Sequence, residues 1–380
     1  MNGEIITYPD LTALVKHLRS LDKKYILLFA YNGTGKTRLS MDFKHAGKKF
    51  DEEDNVIDRD TLYFNAFTED LFFWDNDLDE DTERRLLINK YSEFISGVRL
   101  LDMDNKIRPL IHRYSNFNFL IDYDYKDKDG REYWAVNFIR EEIVNETPKN
   151  IEFVKVSRGE ENLFVWSFFL VVAQLAIERQ ESYKWVKYIY IDDPISSLDD
   201  NNTIALAHHL GQMLKAGNGD VKTIISTHHA LFFNVLHNEF GNKFPKYFLS
   251  RSLDEYAIRN TNDSPFFYHV SLIQELEKAI TTGSLYTYHF NILRTILEKA
   301  ANFHGFNGFS DCLELDNDDK ERTLHTRMVN ILNHGSYSLF EAREMGEENK
   351  RYFKQIFDNF MKNYKFNEKL FEETNTEETV

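Results

Sequence analysis

Ala30-Tyr31-Asn32-Gly33-Thr34-Gly35-Lys36-Thr37 follows the apolar run Tyr25-Ile26-Leu27-Leu28-Phe29 and precedes Arg38-Leu39-Ser40. The run reads as a buried strand, and the residues after Lys36 as the first turn of a helix. Strand, glycine loop, Lys-Thr and helix together make a phosphate cradle. Glycines let backbone N–H groups converge on phosphate oxygens, Lys36 reaches the terminal phosphates, and the Thr37 hydroxyl suits Mg²⁺. The helix N-terminus adds partial positive charge. Asn32, Gly33, Gly35, Lys36 and Thr37 are therefore the first nucleotide-binding candidates. Ala30 stands where the usual pattern has its first glycine. A methyl is tolerable there, because the tight approach falls to Gly33 and Gly35.

Strand-like and helix-like runs alternate over the first 260 residues or so. Strands are expected at Tyr25–Phe29, Thr61–Asn65, Phe117–Tyr123, Tyr133–Phe138, Val186–Ile191 and Val221–Ser226. Helices are expected at Lys36–Lys44, Glu161–Ile177, Asn202–Lys215 and Ala230–Phe240. Such alternation predicts an α/β sheet flanked by helices. Phe117–Phe138 reads instead as antiparallel strands joined by the polar turn Lys126-Asp127-Lys128-Asp129-Gly130. After about residue 268 the spacing is helical: Ser271–Ile280, Leu285–Phe303, Glu321–Asn333 and Phe340–Phe360. The expected organisation is an α/β domain over 1–265, an all-α domain over 266–365 and a disordered acidic tail over 366–380.

Composition narrows the setting. The chain has 380 residues, 42% of them hydrophobic, enough for two or three globular domains. No apolar run is read as reaching the roughly 18 residues that cross a bilayer, so no membrane partner is expected. The start, Met1-Asn2-Gly3-Glu4, does not resemble a secretory signal. Cys312 is the sole cysteine, which fits a reducing cytoplasm. The net charge of −16 argues against broad attraction to nucleic acid, so any such contact must be local.

Further motifs suit nucleotide hydrolysis. Val186–Ile191 ends in Asp192-Asp193-Pro194. Asp192 is placed to hold Mg²⁺, and Asp193 to orient an attacking water. Val221–Ser226 ends in Thr227-His228-His229, which sets His228 at a strand tip beside the terminal phosphate. Val156-Ser157-Arg158-Gly159-Glu160-Glu161 opens a helix, and Ser157, Gly159 and Glu160 suit a second phosphate-binding surface. Taken singly, the Asp pair reads equally as a turn or cap, and Ser157–Glu160 as a capping box. In this order, however, the set resembles the ABC-type ATPases, over about residues 20–240. Ser157-Arg158-Gly159-Glu160 takes the place of that family's Ser-Gly-Gly-Gln signature. Asp193 replaces its catalytic glutamate, which implies slow hydrolysis and a switch more than a motor. One cradle and one signature per chain imply a homodimer or higher even oligomer.

Tyr63-Phe64-Asn65-Ala66-Phe67-Thr68-Glu69-Asp70-Leu71-Phe72-Phe73-Trp74-Asp75-Asn76-Asp77 reads on composition as a strand and an aromatic packing loop. It also resembles the box that marks PrrC-type anticodon nucleases. That resemblance extends over nearly the whole chain, including Phe29–Ser40 and Ile191–Asp200. It implies an ABC-like head regulating a C-terminal ribonuclease that cuts a tRNA in its anticodon loop.

In Thr287–Asn302, Ile292, Leu293, Ile296, Leu297 and Ala300 form an expected apolar face, and Arg294 and Glu298 are neighbours one turn apart. On spacing alone they make a surface ion pair, and His334 before Gly335 makes a helix-end cap. By resemblance, Arg294, Glu298 and His334 match the family's nuclease site. Their chemistry is coherent without metal. A base takes the ribose 2′-hydroxyl proton, an acid protonates the leaving 5′-oxygen, and a cation stabilises the phosphoryl charge. Glu298 serves as base, His334 as acid and Arg294 as clamp, with the Glu and His roles interchangeable. Asn262-Asp263-Ser264-Pro265-Phe266-Phe267-Tyr268-His269 resembles the family's anticodon-recognition peptide, so Asp263 and Ser264 are the tRNA-recognition candidates. Asn262 and Pro265 depart from the family pattern, and a simple turn fits the segment as well. The resemblance further implies a lysine tRNA, ATP or GTP hydrolysis, dTTP as a second nucleotide, and a type I restriction–modification complex as partner in antiviral defence. Two other readings stay open: an ATPase sensor controlling a separate nuclease, and an SMC-like DNA-repair ATPase.

Overall fold

The computed structural model describes residues 5–65, 71–75, 83–92, 95, 103–115, 117–144, 147–195, 198–217, 220–241, 244–252, 255–261, 267–312 and 344–364. The chain divides into two compact units, Gly3–Pro265 and Phe266–Val380.

In the first unit, β1 (Ile5–Tyr8) leads to α1 (Leu11–Ser20). Asp10 caps α1, and Leu11, Leu14, Val15 and Leu18 bury one face of it. β2 (Tyr25–Phe29), buried throughout, feeds the glycine loop, and α2 (Lys36–His45) starts at Gly35. A short hairpin, β3 (Lys49–Phe50) and β4 (Val56–Asp58), precedes β5 (Thr61–Asn65). Next come β6 (Phe72–Asp75), β7 (Arg85–Ile88), α3 (Met103–Ile111), β8 (Asn118–Lys126), β9 (Glu132–Val144) and β10 (Thr147–Ile151). Helix α4 (Arg158–Ile177) is followed by β11 (Tyr188–Asp192), α5 (Asp200–Ala216), β12 (Lys222–Thr227) and α6 (Ala230–Phe240). The strands β13 (Lys246–Ser252) and β14 (Glu255–Asn260) close the unit.

The main sheet runs β1-β14-β13-β2-β12-β11-β5. β13, β2, β12, β11 and β5 are parallel, while β14 and β1 add an antiparallel edge. Parallel strands deliver their C-terminal ends to one edge, where ligands of open α/β sheets bind. Here that edge gathers the glycine loop after β2, Asp192-Asp193 at the end of β11 and Thr227-His228 at the end of β12. A second, antiparallel sheet runs β10-β9-β7-β6, with β8 also paired to β9. The expected antiparallel pair around Lys126–Gly130 is β8 and β9.

Helix α4 joins the two sheets. It is apolar all round, as a helix buried on every side must be. Phe169 stacks on Phe64 of β5 at 4.1 Å between ring centroids, and Phe164 meets Phe119 of β8 and Phe138 of β9. This corrects the expectation that no apolar run is of bilayer length. Arg158–Ile177 is long and apolar enough to cross a membrane, and 72% of its most apolar window is buried inside the protein. Its apolarity is that of a core helix.

In the second unit, α7 (Phe267–Thr282) and α8 (Tyr288–His304) are followed by a 3₁₀ turn at Phe309–Cys312 and by α9 (Glu347–Asn363). Among its described residues the elements are helical, apart from one bridge between Tyr286 and Glu344. α9 begins at Glu347, whereas the apolar spacing predicts a helix running through Phe340–Phe360. Gly346 takes an extended backbone at the N-cap, and Glu344 is engaged in the bridge. The buried apolar residues of α8 are Phe290, Leu293, Ile296, Leu297 and Ala301, with His289 buried beside them; Ile292 and Ala300 are only half-buried. The expected helix Glu321–Asn333 and the tail 366–380 lie outside the described residues.

Candidate functional site

The glycine loop has the backbone its sequence demands. Gly33 and Gly35 take φ of 82° and 105°, a region open to glycine at no steric cost. Lys36, at the start of α2, is nearly buried, with 5% of its surface exposed. Its Nζ donates to Ala30 O at 3.2 Å, Tyr31 O at 3.1 Å and Asn32 Oδ1 at 3.4 Å, and pairs with Asp193 Oδ2 at 3.2 Å. A cavity of about 620 Å³ opens beside the loop, lined among others by Gly33, Lys36, Thr37, Asp193 and His228. Residues far apart in sequence thus meet at one sheet edge.

The two adjacent aspartates occupy different environments. Asp192 is fully buried at the end of β11. Register sets it beside Ser226 of β12, whose Oγ donates to Oδ1 at 2.7 Å, while Ser40 Oγ of α2 donates to Oδ2 at 3.1 Å. Burial and the charge of Asp193 raise its pKa, against hydrogen bonds from Ser226, Ser40 and Thr37. Asp193 follows with a left-handed φ of 45°. Its Oδ1 accepts from the His228 backbone N–H at 2.7 Å and lies 2.7 Å from His228 Nδ1. Burial raises its pKa, but the His228 hydrogen bonds and the Lys36 charge outweigh it and leave the carboxyl below its ordinary value. The Asp192 and Thr37 oxygens are a hard donor set, which suits Mg²⁺.

The start of α4 is a closed capping box. Ser157 Oγ accepts from Glu160 N at 3.3 Å, and Glu160 Oε2 accepts from Ser157 N at 2.8 Å. The other Glu160 oxygen accepts from Arg140 Nη2 at 2.7 Å. Gly159 sits in the first turn.

On α8, Arg294 Nε donates to Glu298 Oε1 at 2.5 Å. Both side chains are partly exposed, at 31% and 44%, and the guanidinium lies 5.5 Å from the Phe309 ring centroid. His289 in the first turn is buried, and its Nδ1 accepts from Tyr286 N at 2.9 Å. His334, Asp263 and Ser264 lie outside the described residues.

Comparison with known proteins assigns the chain. It is 35% identical over 368 residues to an Escherichia coli protein described as "Anticodon nuclease", covering 90% of each chain. The chain belongs to the PrrC-type anticodon nuclease family. No protein-family model matches the chain. Among solved structures, the Smc head bound to the C-winged helix domain of ScpA matches 63% of this chain and 90% of that one, with TM-score 0.34 and 10% identity. The Pyrococcus furiosus Smc head with an extended coiled coil matches 44% and 36%, with TM-score 0.29 and 11% identity.

This PrrC-type chain also uses groups that sequence reasoning missed. Ser40 and Ser226 hold Asp192, and Tyr63 OH lies 3.2 Å from Ser40 Oγ. Two signals point to them. Ser40 lies four residues after Lys36, on the same face of α2. Ser226 occupies the last position before the end of β12, level with Asp192 in the parallel register.

Proposed function

We propose that the protein is a nucleotide-regulated endoribonuclease that cuts a tRNA in its anticodon loop, as the printed name of its E. coli relative suggests. The observation that carries the nuclease site is the Arg294–Glu298 pair, hydrogen-bonded and open to solvent on α8. For helix stability alone the order is the weaker one, since Glu preceding Lys or Arg is better. For phosphoryl transfer the pair is apt. An ionised Glu298 accepts protons only, so it suits the base that takes the 2′-hydroxyl proton. The freed oxygen attacks the adjacent phosphorus, Arg294 stabilises charge on the phosphoryl oxygens, and His334 protonates the departing 5′-oxygen. The products are a 2′,3′-cyclic phosphate and a 5′-hydroxyl end, made without metal.

The first unit is proposed as an ABC-type head binding ATP or GTP in the cradle, with Ser157, Gly159 and Glu160 of a second copy closing it. Thr37 and Asp192 would hold Mg²⁺, which neutralises phosphate charge when bound. Asp193 and His228, already hydrogen-bonded to each other, would orient water and stabilise transferred charge. Recognition by Asp263 and Ser264, a lysine tRNA as target, dTTP as effector, a restriction–modification partner, cytoplasmic location and antiviral defence complete the reading.

Arg294→Ala, Glu298→Ala and His334→Ala are each expected to lower cleavage by about a hundredfold or more, with nucleotide hydrolysis intact. Sequencing of 5′-hydroxyl RNA ends reads the result. Cleavage by His334→Ala at the wild-type rate contradicts the assignment.

A further inference from the structure

Helix α8 ends at Gly305, which takes a left-handed φ of 73°. Glycine adopts that region at no steric cost, and the next N–H, of Phe306, donates back to Ala301 O at 2.9 Å. The chain therefore turns back on the helix it has just left. Two contacts then set the 3₁₀ turn Phe309–Cys312 against α8. Buried Cys312 directs Sγ at Leu297 O, 3.6 Å away. The half-buried Phe309 ring faces the Arg294 guanidinium, with 5.5 Å between ring centroid and Cζ. Both contacts bridge the same interval of 15 residues, so the turn meets the helix in one register.

A guanidinium offers five N–H donors in a rigid planar fork. On Arg294, Nε is taken by Glu298 Oε1 at 2.5 Å, and one face lies against Phe309. Among the described residues nothing else engages the group, and the side chain is 31% exposed. The N–H groups of Nη1 and Nη2 stay open to a ligand. One hydrogen bond at Nε alone lets the plane pivot about that bond. A ring against the face removes the pivot. Its quadrupole attracts the cation and consumes none of its N–H groups.

We infer that Phe309 is a positioning residue for RNA cleavage: its ring holds the Arg294 guanidinium so that both Nη groups, left open by Glu298, meet the phosphoryl oxygens. Its role rests on Arg294 being the clamp proposed above. Donors fixed before the reaction need no reorganisation as charge develops, which is where such a clamp gains its effect. Phe309 touches neither RNA nor the reacting atoms and acts through Arg294 alone.

Leucine at position 309 keeps an apolar side chain in the turn but has no π-face. Full-length chains are compared in single-turnover cleavage of total bacterial tRNA, with rates read from the 5′-hydroxyl ends. Phe309→Leu is expected to lower the rate constant about fivefold, equivalent to roughly 1 kcal/mol. Phe309→Trp keeps a ring and stays within about twofold of the wild type. In the Arg294→Ala background, Phe309→Leu costs nothing more, because the group it orients is gone. A ring that merely supports the fold gives the same loss in both backgrounds, and that result overturns the role. A wild-type rate for Phe309→Leu does so too.

Nuclear magnetic resonance supplies a readout independent of cleavage. In protein isotope-labelled at arginine Nε, the Arg294 resonance is the one missing from Arg294→Ala. An aromatic ring over the guanidinium shifts its Nε–H proton, so the resonance moves in Phe309→Trp and moves toward the position of free arginine in Phe309→Leu. A resonance unmoved in Phe309→Trp overturns the role even where Phe309→Leu does not fold. Cleavage by Arg294→Ala at the wild-type rate refutes the nuclease reading instead, and the resonance still decides whether Phe309 orients the guanidinium.

Discussion

Asp193 takes a left-handed backbone that costs a non-glycine residue about 1–2 kcal/mol. In return its carboxylate reaches Lys36 and both the ring and the backbone N–H of His228, and charge-assisted bonds of this kind are about twice as strong as neutral ones. The left-handed backbone thus aims the carboxylate at Lys36 and His228, where the proposed hydrolysis role would need it. His289 is the counterpart on α8. Burial pushes its pKa from 6.5 down to about 4, and the ring accepts from Tyr286 N in its neutral form. Between those two values the unfolded chain binds a proton that the folded one does not. The His289 contribution to stability is thus complete above pH 6.5 and declines as pH falls toward 4, by at most about 3 kcal/mol. Acid should loosen the helix carrying Arg294 and Glu298. His289→Asn supplies an uncharged acceptor for Tyr286 N, so the drop in Tm from pH 7 to pH 5 should be smaller than in the wild type. An equal drop in both proteins would show that His289 does not titrate in this way.

Helix α4 has two jobs that substitutions separate. Its capping box stabilises the first turn, and its exposed N-terminus is the proposed phosphate surface. Ser157→Ala removes the cap and should cost about 1 kcal/mol. Ser157→Asp keeps a good cap and adds a negative charge where phosphate would bind. Urea midpoints should fall for Ser157→Ala and hold for Ser157→Asp, while Ser157→Asp loses hydrolysis. Full hydrolysis by Ser157→Asp leaves the segment as a cap alone. How far such elements are legible depends on their environment. Tyr25–Phe29 and Thr61–Asn65 are apolar runs of strand length, and the observed strands match them residue for residue. The amphipathic α1 is legible too, through Asp10 and the spacing of Leu11, Leu14, Val15 and Leu18, yet the sequence reading omits it. In β14, Tyr256 and Ile258 alternate with exposed or half-exposed neighbours, but the strand is short and rich in polar residues, so only its pairing with β13 and β1 defines it. The aspartates after β11 were visible as candidates. The hydroxyl partners of Asp192 are not singled out by the sequence reading, because Ser40 and Ser226 reach it through helix pitch and sheet register.

At the level of the assembly, each chain has one cradle and one Ser157-Arg158-Gly159-Glu160 segment. If nucleotide is held between the cradle of one copy and the start of α4 of another, two copies make two composite sites. Lys36→Ala removes the cation proposed to bind phosphate. Gly159→Asp sets a carboxylate against the nucleotide, and an acidic residue in a helix's first turn is locally favourable, so the variant should fold. Each variant alone should be inert, because every composite site in its dimer is damaged. Mixing them yields heterodimers in which the cradle of the Gly159→Asp chain faces the intact α4 start of the Lys36→Ala chain. That pairing restores one complete site and concentrates both defects in the other. Hydrolysis should therefore return on mixing, and with it the nucleotide control of RNA cleavage. Light scattering at micromolar chain with ATP and Mg²⁺ should report the dimer. A mixture as inert as its components, or a monomer under those conditions, would mean that each head completes its site alone, and regulation would then have to act within a single chain.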